Sequence, residues 1–182
     1  QGGALGVCEA ARNVASVGAV PATITDCLNY GNPEVEEVFW EFSEGVRGIG
    51  EACRGIGHLA HEGSPLPVVS GNVSFYNQSE SGKSIPPSPV LCCVGVVEDY
   101  SRCRSIQFKG EGDALYLVGD ILDELGGSEY YRIVYSTLGA NVPKADFQRE
   151  RRLIRAMIEM HGLGWVRACH DLSEGGLAVA AA

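Results

Sequence analysis

At 182 residues, 45% hydrophobic, 20% charged and 8% aromatic, the chain has an ordinary globular composition and length for one core or two small ones. A formal net charge of -9 with no basic run argues against a nucleic-acid or anionic-membrane surface, and the longest apolar run, "PVLCCVGVV", is far too short to span a bilayer. Seven cysteines, with no CxxC pair and no His/Cys metal spacing, point to a reduced, cytoplasmic setting.

Read in chain order, Ala4 to Ser16 predicts a helix with Leu5, Cys8, Ala11 and Ala15 on its apolar stripe, ended by Gly18. "VPATI" predicts a short buried strand that stops at Thr25 and hands over to a polar loop holding Asp26 and Asn29. From Pro33 the apolar spacing is helical: Val35, Val38, Phe39, Phe42, Val46, Ile49, Cys53 and Ile56. Asn32 suits the N-cap, Pro33 the first helical position, and Glu34, Glu36 and Glu37 the positive end of the helix dipole.

"HLAHEGSPL" is a polar loop, "PVVS" a strand ending in "GNVSFYN", "QSESGKSIPPSP" a long loop and "VLCCVGVV" a buried strand. The polar stretch "EDYSRCRS" predicts a boundary between a domain over 1–100 and another over 104–182. Beyond it, "SIQF" and "ALYLVGD" read as strands. Ser128 caps a helix through Leu138, and Asp146 caps a longer one burying Leu153, Ile154, Met157, Ile158 and His161. "WVRAC" reads as a last strand before "HDLSEGGLAVAAA", a loop and a helix start. Alternating strands and helices predict an α/β or α+β sheet protein in two pieces. The chain opens on Gln1 and stops inside an apolar helical pattern, so both ends are expected to be cuts in a longer protein.

Most cysteines, Cys8, Cys53, Cys92, Cys93 and Cys169, lie in apolar runs and read as small hydrophobes. Cys27, beside Asp26, reads as a packing residue, with a reactive thiol as the alternative. Four clusters could carry chemistry. Asp26 with Asn29, "SGNVS" (Ser70 to Ser74) and "HDLSEGG" (His170 to Gly176) each follow a strand, where ligands of open sheets collect. Glu9 and Asn13 stand four apart, so both oxygens share one helix face, a pairing that suits a hard cation such as Mg²⁺. Each also has a plain structural reading: a solvated helix face for Glu9 and Asn13, a tight turn for "SGNVS", and a helix N-cap for Ser173. Taken together, acids, amides and glycines without a basic patch suggest a Mg²⁺–nucleotide site.

The runs "GGALGVCEAARNVASVGAVPATITDCLNYGNPE", "PVVSGNVSFYN", "IPPSPVLCCVGVVED", "LGGSEY" and "HDLSEGGLAVA" resemble the second half of phosphoribosylformylglycinamidine synthase of the small PurL type, over essentially the whole chain. The resemblance implies a PurM-like (AIR synthase-related) N-domain portion followed by a C-domain portion. It implies an ATP-dependent ligase of purine biosynthesis that phosphorylates the formyl amide of a ribonucleotide and lets ammonia displace the phosphate. A glutaminase subunit, a small bridging subunit and the missing first half of the same chain are the implied partners.

On this resemblance Asp26 and Gly71 match ATP-binding positions, Asn72 a Mg²⁺ ligand and Ser74 a substrate contact. Glu9, Asn13 and Asp171 match Mg²⁺ ligands around an auxiliary nucleotide, ATP or ADP, and Ser173 a contact to that nucleotide. The family's catalytic histidine belongs to the first half; His58, His61, His161 and His170 do not match it, so no catalytic residue is expected here. A non-catalytic nucleotide-binding repeat is the alternative. A related ATP-dependent enzyme, such as AIR synthetase, selenophosphate synthetase or a thiamine-phosphate kinase, is a further one.

Overall fold

A computed structural model of the chain describes residues 1–139 and 141–182. The elements run α1 (Gly2–Ser16), β1 (Val20–Asn29), α2 (Glu36–Ile56), β2 (Val68–Ser74), β3 (Ser88–Val96), a 3₁₀ turn (Tyr100–Arg102), α3 (Glu129–Tyr135), α4 (Phe147–Gly162) and α5 (Gly176–Ala180). The three strands form one sheet in the order β2-β1-β3, parallel between β1 and β2 and antiparallel between β1 and β3.

One face of this sheet carries the helices. Ile24, Leu28 and Tyr30 are buried there against Val7, Cys8 and Ala11 of α1 and Ile49, Ala52, Cys53 and Ile56 of α2. Small residues on α1 let it lie close to both the sheet and α2. α4 crosses the outer side of this layer and inserts Ile154, which is fully buried. The opposite face of the sheet is open. Along β3, Val90, Cys92, Val94 and Val96 are exposed while Leu91 and Cys93 pack inward, the alternation of a strand covered on one side. The expected buried strand is therefore half-covered.

Several expected boundaries shift for physical reasons. β1 does not stop at Thr25 but runs to Asn29, because both neighbours continue to pair with it: Asp26 with Gly71 and Leu91, Asn29 with Ser74 and Ser88. Likewise "SGNVS" is strand, not turn. Asn32 caps no helix. Its Oδ1 accepts from the Glu34 amide at 2.8 Å, closing an Asx turn, and α2 starts four residues later with Val35 at its N-cap. Val35, Phe39 and Val46 lie outside the buried face of α2.

After Val96 the structure holds no strand among the described residues, so "SIQF", "ALYLVGD" and "WVRAC" are corrected to irregular chain. Leu115, Tyr116, Leu117 and Val118 are all exposed, and a strand cannot persist without a partner for its backbone groups. The two predicted caps do form. Ser128 Oγ accepts from the Tyr131 amide at 3.3 Å, and Asp146 Oδ1 from the Arg149 amide at 3.0 Å. α3 nevertheless ends at Tyr135, where Ser136 turns left-handed, rather than at Leu138. Among the described residues no helix is long and apolar enough to cross a membrane.

Candidate functional site

Parallel pairing of β1 with β2 sets the first candidate pair side by side. Asp26 lies opposite Gly71, and its carboxylate covers the place a side chain would take there: a Cβ on Gly71 would fall 1.9 Å from Asp26 Oδ1. Glycine is thus required at 71 by close approach. Strand alternation puts Asp26 on the same sheet face as Ile24 and Leu28. Burial pushes the nearby Cys53 thiol up to about 11; Arg54 opposes the shift and the Asp26 carboxylate adds to it.

The next residues point the other way. Asn72 pairs with Cys27 and Ser74 with Asn29, on the open face, where Thr25 Oγ1 and Ser70 Oγ also meet at 2.8 Å. Asn29 Nδ2 donates to the carbonyls of Cys27 and Ser88, both at 3.1 Å, which fixes the amide across β1 and β3. Its neighbour Cys27 is half-buried beside it, with Asn29 Nδ2 3.5 Å from Sγ. Cys92, read from sequence as a small buried hydrophobe, is exposed on this face.

Asn77 escaped the sequence reading. Its Nδ2 donates to the carbonyls of Tyr30 (3.1 Å) and Ser74 (2.9 Å), while Ser74 Oγ donates to its Oδ1 at 3.3 Å. It therefore clamps the ends of β1 and β2 together and holds the Ser74 hydroxyl. The signal available was its place as the last polar residue of "SGNVSFYN".

Glu9 and Asn13 stand exposed on the outer face of α1, away from its buried side of Ala4, Val7, Cys8, Ala11 and Ala15. Between them, Arg12 pairs with Glu150 of α4 at 2.8 Å. Asp171 lies 3.1 Å from His170 Nδ1 in the segment before α5. Burial pushes the Cys169 thiol up, with Asp171 adding to the shift. Ser173 is not a side-chain cap. α5 begins after Gly175 at positive φ, and the Ser173 carbonyl accepts from the Gly176 amide at 3.0 Å.

The candidate residues thus form four groups: Asp26–Gly71 on the helix-covered face, Asn72–Ser74 next to it in β2 but on the open face, Glu9–Asn13 on α1, and Asp171–Ser173 before α5. Among the described residues no side-chain hydrogen bond or ion pair joins one group to another, and no three His, Cys, Asp or Glu side chains converge as metal ligands. The donors are carboxylate and amide oxygens, which suits Mg²⁺. Two surface hollows, of about 490 and 260 Å³, lie elsewhere, the first along Val35, Glu36, Glu37 and Trp40 and the second between Leu59, Ala60, Ile158 and Glu159.

Comparison with known proteins shows the family. The AIR synthase related protein, N-terminal domain, matches residues 1–97, and the AIR synthase related protein, C-terminal domain, matches residues 110–182. The chain is 52% identical over its whole length to phosphoribosylformylglycinamidine synthase subunit PurL of Methanothrix thermoacetophila, covering 23% of that protein. It is 46% identical to the PurL subunit of Moorella thermoacetica, again over its whole length and 24% of that protein. Thermotoga maritima PurL complexed with AMPPCP is similar in structure, with a TM-score of 0.52 and 26% identity over 90% of this chain and 22% of that one. The same protein complexed with FGAR gives a TM-score of 0.51 and 25% identity over 90% of this chain and 21% of that one. The chain spans about a quarter of the length of these curated relatives. It belongs to the AIR synthase related family, carrying the N-terminal domain of that family and, after it, sequence of the C-terminal domain.

Proposed function

We propose that this chain is the second-repeat portion of a phosphoribosylformylglycinamidine synthase. In the full-length protein it would serve the ATP-dependent conversion of formylglycinamide ribonucleotide and ammonia to the amidine, a step of purine biosynthesis. The observation that carries this reading is similarity to PurL subunits, 52% and 46% identical over essentially the entire chain. Structural likeness to a PurL that holds AMPPCP, and FGAR in another crystal, supports a nucleotide and a ribonucleotide as ligands. The relatives are named as a subunit, which supports assembly with other chains; a glutaminase and a small bridging subunit are the proposed partners.

In this reading Asp26 and Gly71 contact ATP, and Ser74, held by Asn77, contacts the ribonucleotide. Asn72, Glu9, Asn13 and Asp171 would hold Mg²⁺, and Ser173 would touch a nucleotide. Mg²⁺ would neutralise the phosphates and so offset the acidity of these loops. The proposed domains are 1–100 and 104–182. A second reading, a non-catalytic nucleotide-binding repeat, draws on the separation of the four groups, since no one of them is a complete site.

The test is amidine formation from ATP, formylglycinamide ribonucleotide and ammonium by the full-length protein, with this chain alone as a comparison. The proposal expects turnover from the full-length protein and none from the chain alone. Unchanged turnover by a full-length protein carrying Asp26→Ala and Asn72→Ala would favour the second reading.

A further inference from the structure

α4 is fastened to the rest of the molecule in two different ways. Toward its start the ties are ion pairs: Arg12 with Glu150 at 2.8 Å, and Glu62 with Arg151 and Arg155 at 3.1 and 2.6 Å. Toward its end the ties are not ion pairs: one is a buried histidine and the other a surface hydrogen bond. His161 is 2% exposed and wedges against the turn between α1 and β1. Gly18, at φ +90°, comes so near that a Cβ there would lie 3.0 Å from His161 Nδ1. Beside it, Arg102 donates to the Gly162 carbonyl at 2.8 Å.

The two nitrogens of His161 differ. Nδ1 faces the Arg102 carbonyl at 3.4 Å, which assigns the proton of the neutral ring to Nδ1. Nε2 is buried without a hydrogen-bond partner. A bare lone pair tolerates that position; a protonated ring would face only the Arg102 and Ser16 carbonyls and carry an uncompensated buried charge. The surroundings offer it no anion. The turn from α1 to β1 contributes the Ser16 carbonyl and no titratable side chain, the segment after β3 contributes Arg102 and Arg104, and Asp99 is 3.5 Å from Arg102. The end of a helix favours a cation, but burial outweighs this, and with the Arg104 charge against it the imidazole is held below its ordinary range.

We propose that His161 is an acid-sensitive latch: neutral, it seals the C-terminal end of α4 against the α1–β1 turn, and protonated, it releases that end while the ion pairs keep the first half docked. Because the ring is harder to protonate when buried, docking is fully favoured above the ordinary imidazole value of 6.5 and is lost as pH falls below it.

Hydrogen exchange followed by mass spectrometry on the full-length protein tests this, with rates corrected for intrinsic chemistry, at about pH 7.5 and about pH 5.5. The latch predicts that peptides over 156–165 and 15–20 lose protection by roughly threefold or more at the lower pH, while 147–153 do not. His161→Gln, neutral at both pH values, should remove the difference. Equal loss along all of α4, no loss in the wild type, or an unchanged pH response in His161→Gln would each overturn the proposal. The comparison of peptides within the wild type decides the matter even if the variant does not fold.

Discussion

The hydroxyl of Tyr30 is fully buried against Gly45 of α2 with no hydrogen-bond partner, so it has lost water and gained nothing in return. Burial, with the Glu41 charge adding to it, pushes the phenol up, so the group is neutral throughout the physiological range. Its ring earns its place, packing edge-on to Phe42 at 5.3 Å. Tyr30→Phe keeps that contact and should stabilise the full-length protein by about 1 kcal/mol, seen as a higher urea midpoint at unchanged slope. A lower midpoint would mean that the hydroxyl has a partner after all. At Gly71 the opposite holds, because Asp26 already occupies the space. Gly71→Ala should displace the carboxylate and weaken nucleotide binding by about tenfold or more by calorimetry. Adding Asp26→Ala should recover stability but not binding; recovery of both would separate Asp26 from the nucleotide.

Among the elements, α4 ties the chain beyond residue 140 to the first layer. Ile154→Ala should cost about 3 kcal/mol through the cavity it leaves among buried side chains of α1 and α2. Glu62 is a weaker fastening. Its side-chain bond to Arg155 and the charges of Arg155 and Arg151 hold its carboxyl below the usual range. A lowered folded value means that this contribution is present above the ordinary glutamate range and lost as pH falls through and below it. Since Glu62 is solvent-exposed, the effect should shrink in high salt, and Glu62→Gln should remove that part of the acid dependence; an acid profile identical in the variant would contradict it.

How much of these elements could be read in advance follows from where their determinants lie. The Ser128 and Asp146 caps were legible because a cap acts over three residues. The length of β1 was not, because Asp26, Cys27 and Asn29 look like loop residues and are held in strand by partners 45 to 65 residues away. The opposite error befell "ALYLVGD", whose pattern suits a strand but which has no neighbour to pair with. The residues of the site were legible as polar clusters, yet their division between the two faces of the sheet needed the register, which a one-residue change would invert.

At the scale of the whole molecule, the sheet has one face covered by helices and one left open, lined by Thr25, Asn29, Ser70, Asn72 and Ser74. The four candidate groups share no side-chain bond within this chain, which spans about a quarter of the length of its curated relatives, so the account requires that a longer protein complete them. Amidine formation by the full-length protein, measured with ATP, formylglycinamide ribonucleotide and ammonium, tests that requirement most directly when wild type is compared with Asp26→Ala and Asn72→Ala. The account predicts that kcat/KM falls by roughly a hundredfold in each variant, with folding unchanged by circular dichroism. Wild-type kcat/KM in both variants would contradict it.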